Sequence, residues 1–494
     1  MNLHTDLRDD IDVTRAIIDS FNRRTTGSKK AAAENRHFLS DKSSIGMAFS
    51  PQMKEALYPV VATAAEGPYL TDIDGNRYVD ILMGLGTNLF GHNPPFIRAA
   101  IEQQLAKGFP MGPQSDLTGE TAEMFCQLTG KDRITFSNTG TEAVATALRI
   151  ARAATGRKTI AIFTGSYHGH HDQVLGFASR LEYMRRGGLA RQRPPIWLSA
   201  IQPFLKRIML TRAIPGFPGI PASALKDVLL LEYGNPRSLE IIAKKANQLA
   251  GVLVEPVQSR NLELQPREFL HTLRDITAQS GTALIFDEMI SGFRVAQGGA
   301  QAHFGVEADL ATYGKIAGGG MPLSLIGGSN RFMDFVDGGR WSYGDASVQS
   351  VSPTFFAGTY CRHPLALAAA RASAQHMLES GPILQQELNQ RTTMLVEKLN
   401  ASLQSHALPV AFTSFGSFFG MAASRSNISQ HATGLFSLLL LSAGIHLRGG
   451  DKGGFLSTAH TQADIDTIHD AIVQSLQSLA GFGLLSSHNG KQTS

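Results

Sequence analysis

Cysteine is scarce in this chain of 494 residues: Cys126 and Cys361 are the two present. Two thiols exclude a disulfide framework, and neither falls in a metal-ligand spacing. A reducing, cytoplasmic setting is the expectation. Charge is thin as well, at 17% of residues with a net +4 and a pI near 9.0, an excess too mild to point to nucleic acid. Long apolar runs are lacking. The greasiest stretch, Leu435–Ser442, is far short of the ~20 residues a membrane-spanning helix needs and reads as a buried helix. The opening residues Met1–Asp10 lack the basic and apolar blocks of a secretory signal.

What the chain does have is apolar content, 43% of residues, and a length beyond what one core usually fills. The expected organisation is a polar extension (1–57), the first part of a small domain (58–110), a large domain (111–363), the rest of the small domain (364–480) and a tail (481–494). Residues 66–80 alternate around an Asp-Gly-Asn turn, which predicts a β-hairpin. Further on, the helical pattern Glu142–Ala153 alternates with short apolar strands at Thr159–Phe163, Val228–Leu231, Gly251–Val254 and Ala283–Phe286. That alternation predicts an α/β fold with a mostly parallel sheet covered by helices. A smaller α+β domain is built from both termini.

Lys315 lies in the glycine-rich run Gly314-Lys-Ile-Ala-Gly-Gly-Gly320, 28 residues after Asp287 at the end of an apolar strand. A lysine that condenses with an aldehyde suits a short loop pinned by glycines. An aspartate at a buried strand end suits the protonated nitrogen of a pyridine ring. The pair resembles a site for pyridoxal phosphate. Phe136-Ser-Asn-Thr-Gly-Thr-Glu-Ala-Val144 runs from a strand end into a helix, so Gly140 and Thr141 offer first-turn donors to a phosphate; the same residues also make an ordinary capping box. Ser166-Tyr167-His168-Gly169 follows a strand and places an aromatic ring at the sheet's C-terminal edge, where ligands of open α/β sheets bind.

Asn138-Thr-Gly-Thr-Glu-Ala, Tyr167-His-Gly, Val254-Glu-Pro-Val-Gln258, Phe286-Asp-Glu-Met289, the lysine loop and Gly358-Thr359 stand in the order seen in class III (fold type I) pyridoxal phosphate-dependent aminotransferases. Over roughly residues 58–475 the chain resembles that family, and within it the aminotransferase domains of hybrid polyketide and nonribosomal peptide synthetases; glutamate-1-semialdehyde aminomutase is the next relative. The resemblance implies that Lys315 bonds the cofactor aldehyde and shuttles the proton, and that Asp287 contacts the pyridine nitrogen. It further implies that Tyr167 stacks on the ring beside His168, Gly140 and Thr141 hold the phosphate, and Glu255 lies near the ring hydroxyl. Met289, commonly valine in the family, packs on the face opposite Tyr167. Thr359 reaches the phosphate of a neighbouring subunit, which implies a homodimer with shared sites.

The departures bear on substrate. Lys452 stands where the aminomutase pattern has a glutamate, and Ser50-Pro-Gln-Met-Lys54 replaces an arginine motif. Arg448, Lys452 and Lys54 are candidate partners of a substrate carboxylate or phosphate, with solvated loop cations as the alternative. Residues 180–212 hold eight Lys or Arg against one acid, Glu182. That stretch reads as a lid, as a docking surface for an acyl carrier protein, or as an amphipathic membrane-leaning helix. The expected function is transfer of an amino group from an amino acid donor to a ketone or aldehyde of a biosynthetic intermediate, a carrier-bound β-ketoacyl thioester among the candidates, with pyridoxamine phosphate carrying the nitrogen. The alternatives are an aminomutase and a non-catalytic, cofactor-binding scaffold.

Overall fold

A computed structural model describes residues 3–40, 46–47, 49–178 and 211–485. Of the basic stretch read from the sequence, residues 180–210 lie outside the described residues. The chain divides into two compact units, one of residues 1–102 with 380–494 and one of residues 103–379.

The second unit is built on a seven-stranded sheet: β1 (Arg133–Ser137), β2 (Thr159–Phe163), β3 (Val228–Leu231), β4 (Leu249–Val254), β5 (Ala283–Asp287), β6 (Leu310–Tyr313) and β7 (Ser324–Gly328), in the order β1-β7-β6-β5-β4-β2-β3. The β2, β3, β4, β5 and β6 pairings are parallel, whereas β7 runs antiparallel to both β6 and β1. Strands covered on both faces read as continuous apolar runs, and β4 is buried at all six positions. Successive residues point to opposite faces. Ile160, Ile162, Leu230 and Ile285 therefore pack with Val144, Leu148 and Ala151 of the helix Gly140–Thr155, while Phe163 meets Phe269 of the helix Arg267–Ser280 at 5.7 Å between ring centroids. The parallel strands all end at one edge, and that edge positions the site.

The first unit has a four-stranded sheet (Ala62–Glu66, Tyr69–Asp72, Arg77–Asp80, Ile445–His446) and a three-stranded one (Phe412–Phe415, Phe418–Met421, Gly453–Phe455). The hairpin expected around residues 66–80 is formed by Tyr69–Asp72 and Arg77–Asp80, paired antiparallel. Its turn has a second task. Asp74 accepts the N–H groups of Gly27 (2.6 Å) and Ser28 (3.1 Å) and the Thr26 hydroxyl (3.1 Å), all at the start of the helix Thr26–Asn35. The helix is thus capped by a carboxylate distant in sequence, because its own N-cap residue Thr25 makes no side-chain cap. Losing such a cap costs about 1 kcal/mol, so Asp74→Ala is expected to lower the unfolding free energy by about that amount and the urea midpoint with it; an unchanged midpoint in urea melts counts against the cap. The helix Leu3–Arg24 packs its buried Ile17, Ile18 and Phe21 toward the helix Gln430–Ser442. No helix among the described residues is long and apolar enough to cross a membrane.

Candidate active site

Asp287 closes β5 and is buried. Its Oδ2 lies 2.7 Å from Nδ1 of His168, and its Oδ1 accepts the Met289 N–H at 3.2 Å and the Thr312 hydroxyl at 3.3 Å. Thr312 is the register partner of Asp287 on β6, so the parallel pairing itself supplies that hydrogen bond. Three partners fix the rotamer of the carboxylate. His168 is buried too, and its Nε2 has no partner among the described residues.

β6 ends at Tyr313, and Lys315 follows after Gly314 in a short 3-10 turn, Lys315–Gly318. Lys315 holds φ at +47°, a left-handed conformation uncommon for a side-chain-bearing residue and costing on the order of 1 kcal/mol or more. Such strain persists where the surroundings over-determine it, and functional sites are where it clusters. Asp287 and the lysine loop therefore sit at the C-terminal ends of adjacent strands.

The helix Gly140–Thr155 starts where β1 ends. Thr139 caps it by accepting the Glu142 N–H at 3.3 Å, and Glu142 in turn accepts the Asn138 N–H at 2.9 Å. The cap accounts for one first-turn donor; the N–H groups of Gly140 and Thr141 have no protein acceptor among the described residues. The cap thus leaves two first-turn donors of the same helix open to an anion. The Thr141 hydroxyl accepts the His170 N–H at 3.2 Å. A Cβ on Gly169 would lie 2.5 Å from that hydroxyl, and Gly169 has φ +86°, so glycine is needed there both for conformation and for the close approach of the Tyr167 loop to the cradle.

Tyr167, about half exposed, donates its N–H to Glu255 Oε2 at 3.1 Å. Glu255 follows β4, accepts the Ser259 N–H at 2.8 Å through its other oxygen, and is held above the usual carboxylate range by burial. Gln258 reaches across to the Thr164 carbonyl at 2.9 Å and the Ser166 hydroxyl at 2.8 Å. Glu255 and Gln258 thereby tie the loop after β2 to the loop after β4. Thr312 is the supporting residue that sequence reasoning passes over, because strand register is invisible in the sequence; Gln258 stands in the run Val254–Gln258, but the sequence assigns it no role of its own.

Gly140, Thr141, Tyr167, His168, Glu255, Asp287, Met289 and Lys315 are thus gathered along one sheet edge of the second unit. Thr359 belongs to that unit as well, exposed in a turn whose Cys361 sulfur lies 3.8 Å from Asn138 Nδ2. Lys54, Arg448 and Lys452 belong to the first unit. There Arg448 is paired with Asp451 at 3.0 Å, while Lys54 and Lys452 are exposed.

A dianion fits the two free N–H groups at the helix start, and a heteroaromatic ring nitrogen carrying a proton fits the anchored Asp287 carboxylate. An amine on the adjacent loop completes the requirements of a phosphorylated pyridine aldehyde. Among solved structures the chain is similar to a transaminase with PLP bound, 25% identical over 93% of this chain and 99% of that one, TM-score 0.77. It is similar also to a β-phenylalanine aminotransferase from Variovorax paradoxus, 25% identical over 97% and 100%, TM-score 0.78. A glutamate-1-semialdehyde aminomutase from Pseudomonas aeruginosa PAO1 in complex with PMP shares the fold at 21% identity over 96% and 99%, TM-score 0.77. The family model of class-III aminotransferases matches residues 50–452, a span that takes in every strand of the seven-stranded sheet and every residue gathered at its edge, and the chain belongs to that family.

Proposed function

We infer that the protein is a pyridoxal phosphate-dependent transaminase, and that the residues at the sheet edge serve it as follows. The observation that carries the reading is the three-point anchoring of Asp287 beside the strained Lys315 loop. Pyridoxal phosphate, when bound, supplies an aldehyde to take up the amino group and a ring that accepts electrons as the bond at the amine carbon breaks. The N–H groups of Gly140 and Thr141 bind the phosphate. Asp287 holds a proton on the ring nitrogen, and His168, acting through Asp287, fixes its orientation. Tyr167 covers one face of the ring, Met289 borders the other, and Glu255 faces the ring hydroxyl. Lys315 Nζ anchors the group and moves the proton at the substrate carbon.

The finer reading is an amino acid as donor and a ketone or aldehyde of a biosynthetic intermediate as acceptor, a carrier-bound β-ketoacyl thioester included. It rests on the synthetase-like runs in the sequence. Thr359, exposed like Phe355 and Tyr360 of the same segment, is assigned to the site of a second copy in a homodimer. With Lys452 in the place of the aminomutase glutamate, transfer between two molecules is favoured over transfer within one.

A half-reaction separates those two outcomes. Protein loaded with pyridoxal phosphate and given one amino acid donor, with no acceptor, is expected to release one equivalent of keto acid per site and to lose its yellow colour. If no donor yields keto acid while a single amino-aldehyde isomerises, the aminomutase reading replaces this one.

A further inference from the structure

Met289 is where three parts of the site meet. Its N–H is held by Asp287 Oδ1. Its side chain extends to two glycines that are far apart in sequence: a Cβ placed on Gly140 would lie 2.9 Å from the Met289 Sδ, 3.4 Å from its Cγ and 3.5 Å from its Cε, and a Cβ placed on Gly314 would lie 2.7 Å from the same sulfur. Ordinary contacts between such atoms begin at about 3.5 Å. Neither glycine has a positive φ: Gly140 is not among the positive-φ glycines, and Gly314 has φ −166°. The demand for glycine at both positions therefore comes chiefly from the sulfur.

Gly140 begins the phosphate cradle and Gly314 immediately precedes Lys315. We propose that Met289 is a positioning residue whose thioether sulfur, lodged against Gly140 and Gly314, sets the spacing between the phosphate cradle and the lysine loop. The inference rests on the assignment of this edge to pyridoxal phosphate. A methionine suits the task because an unbranched, polarizable chain fills an irregular gap between backbones. The chain is also soft. A methyl group added to either glycine pushes the sulfur aside at little cost to the fold, and since Met289 is half-buried at the edge of the packed core, the displaced atoms move into the space that the cofactor ring needs. The penalty should fall on cofactor binding and leave the stability of the cofactor-free protein nearly intact.

The test is a double-mutant cycle on pyridoxal phosphate affinity, read from the absorbance of the bound cofactor during titration and from its loss on dialysis. Gly140→Ala is expected to weaken binding about tenfold or more, the size of an overpacking cost, with the melting temperature of the cofactor-free protein little changed. In the Met289→Ala background the same Gly140→Ala change should cost almost nothing. Gly314→Ala, alone and with Met289→Ala, repeats the cycle at the second contact and serves if Gly140→Ala does not fold. Weakened binding that Met289→Ala does not relieve overturns the proposal, as does unweakened binding or an equal fall in the melting temperature of the cofactor-free protein. A wild-type protein that takes up no pyridoxal phosphate overturns the assignment of the site itself, which separates that failure from failure of the spacing role.

Discussion

Lys315→Ala is expected to abolish turnover, lowering kcat by on the order of 10⁴-fold or more, since in the proposed function one amine serves both as the covalent anchor and as the acid–base group at the reacting carbon. The fold should survive the change. Alanine in place of lysine keeps the same left-handed φ at a similar cost, and the turn around it is held by its own backbone, with Ala317 N–H on the Gly314 carbonyl at 3.0 Å and Gly319 N–H on the Ile316 carbonyl at 3.1 Å. Cofactor should still associate through the helix start and Asp287, more weakly and without a covalent link. Borohydride treatment of the loaded wild-type protein, followed by peptide mapping, is expected to place the label on Lys315. A label on any other lysine, or a Lys315→Ala protein that keeps a tenth of the rate, removes this residue from its role.

The strands most legible in the sequence are the ones buried on both faces. Thr159–Phe163, Val228–Leu231, Gly251–Val254 and Ala283–Phe286 fall within β2, β3, β4 and β5 because a doubly covered strand must be apolar throughout. β6 and β7 are harder to read: Leu-Ala-Thr-Tyr and Ser-Leu-Ile-Gly-Gly mix small and polar residues, and the antiparallel direction of β7 is decided by its neighbours in space. The site divides in the same way. Lys315 and Gly140 belong to runs whose residue types announce their chemistry. The grip of His168 and Thr312 on Asp287 joins positions 119 and 25 residues apart, and the contact of Met289 with Gly314 depends on where two strand ends stop. Such distances are products of sheet order, and periodicity along the chain does not encode them.

Asp287→Asn is the second change with a large expected effect. The amide oxygen can keep the Met289 N–H and the Thr312 hydroxyl as donors, so the local fold and some cofactor binding should remain. What is lost is the negative charge proposed to face the ring nitrogen, at a buried, low-dielectric position where an electrostatic partner at a reacting centre is worth far more than in water. His168 loses its carboxylate partner at the same time, and an amide there cannot restore a charge-assisted bond. The expected fall in kcat is about a hundredfold or more, with the KM for the donor changed much less, because the carboxylate acts on bond breaking and does not touch the donor. His168→Phe supplies the control: it leaves the Asp287 charge in place and frees its orientation, so its loss should be smaller than that of Asp287→Asn and nearly absent when added to it. Equal and additive losses would mean that the two residues act separately, and an Asp287→Asn rate within a few-fold of wild type would mean that the ring nitrogen does not depend on this carboxylate.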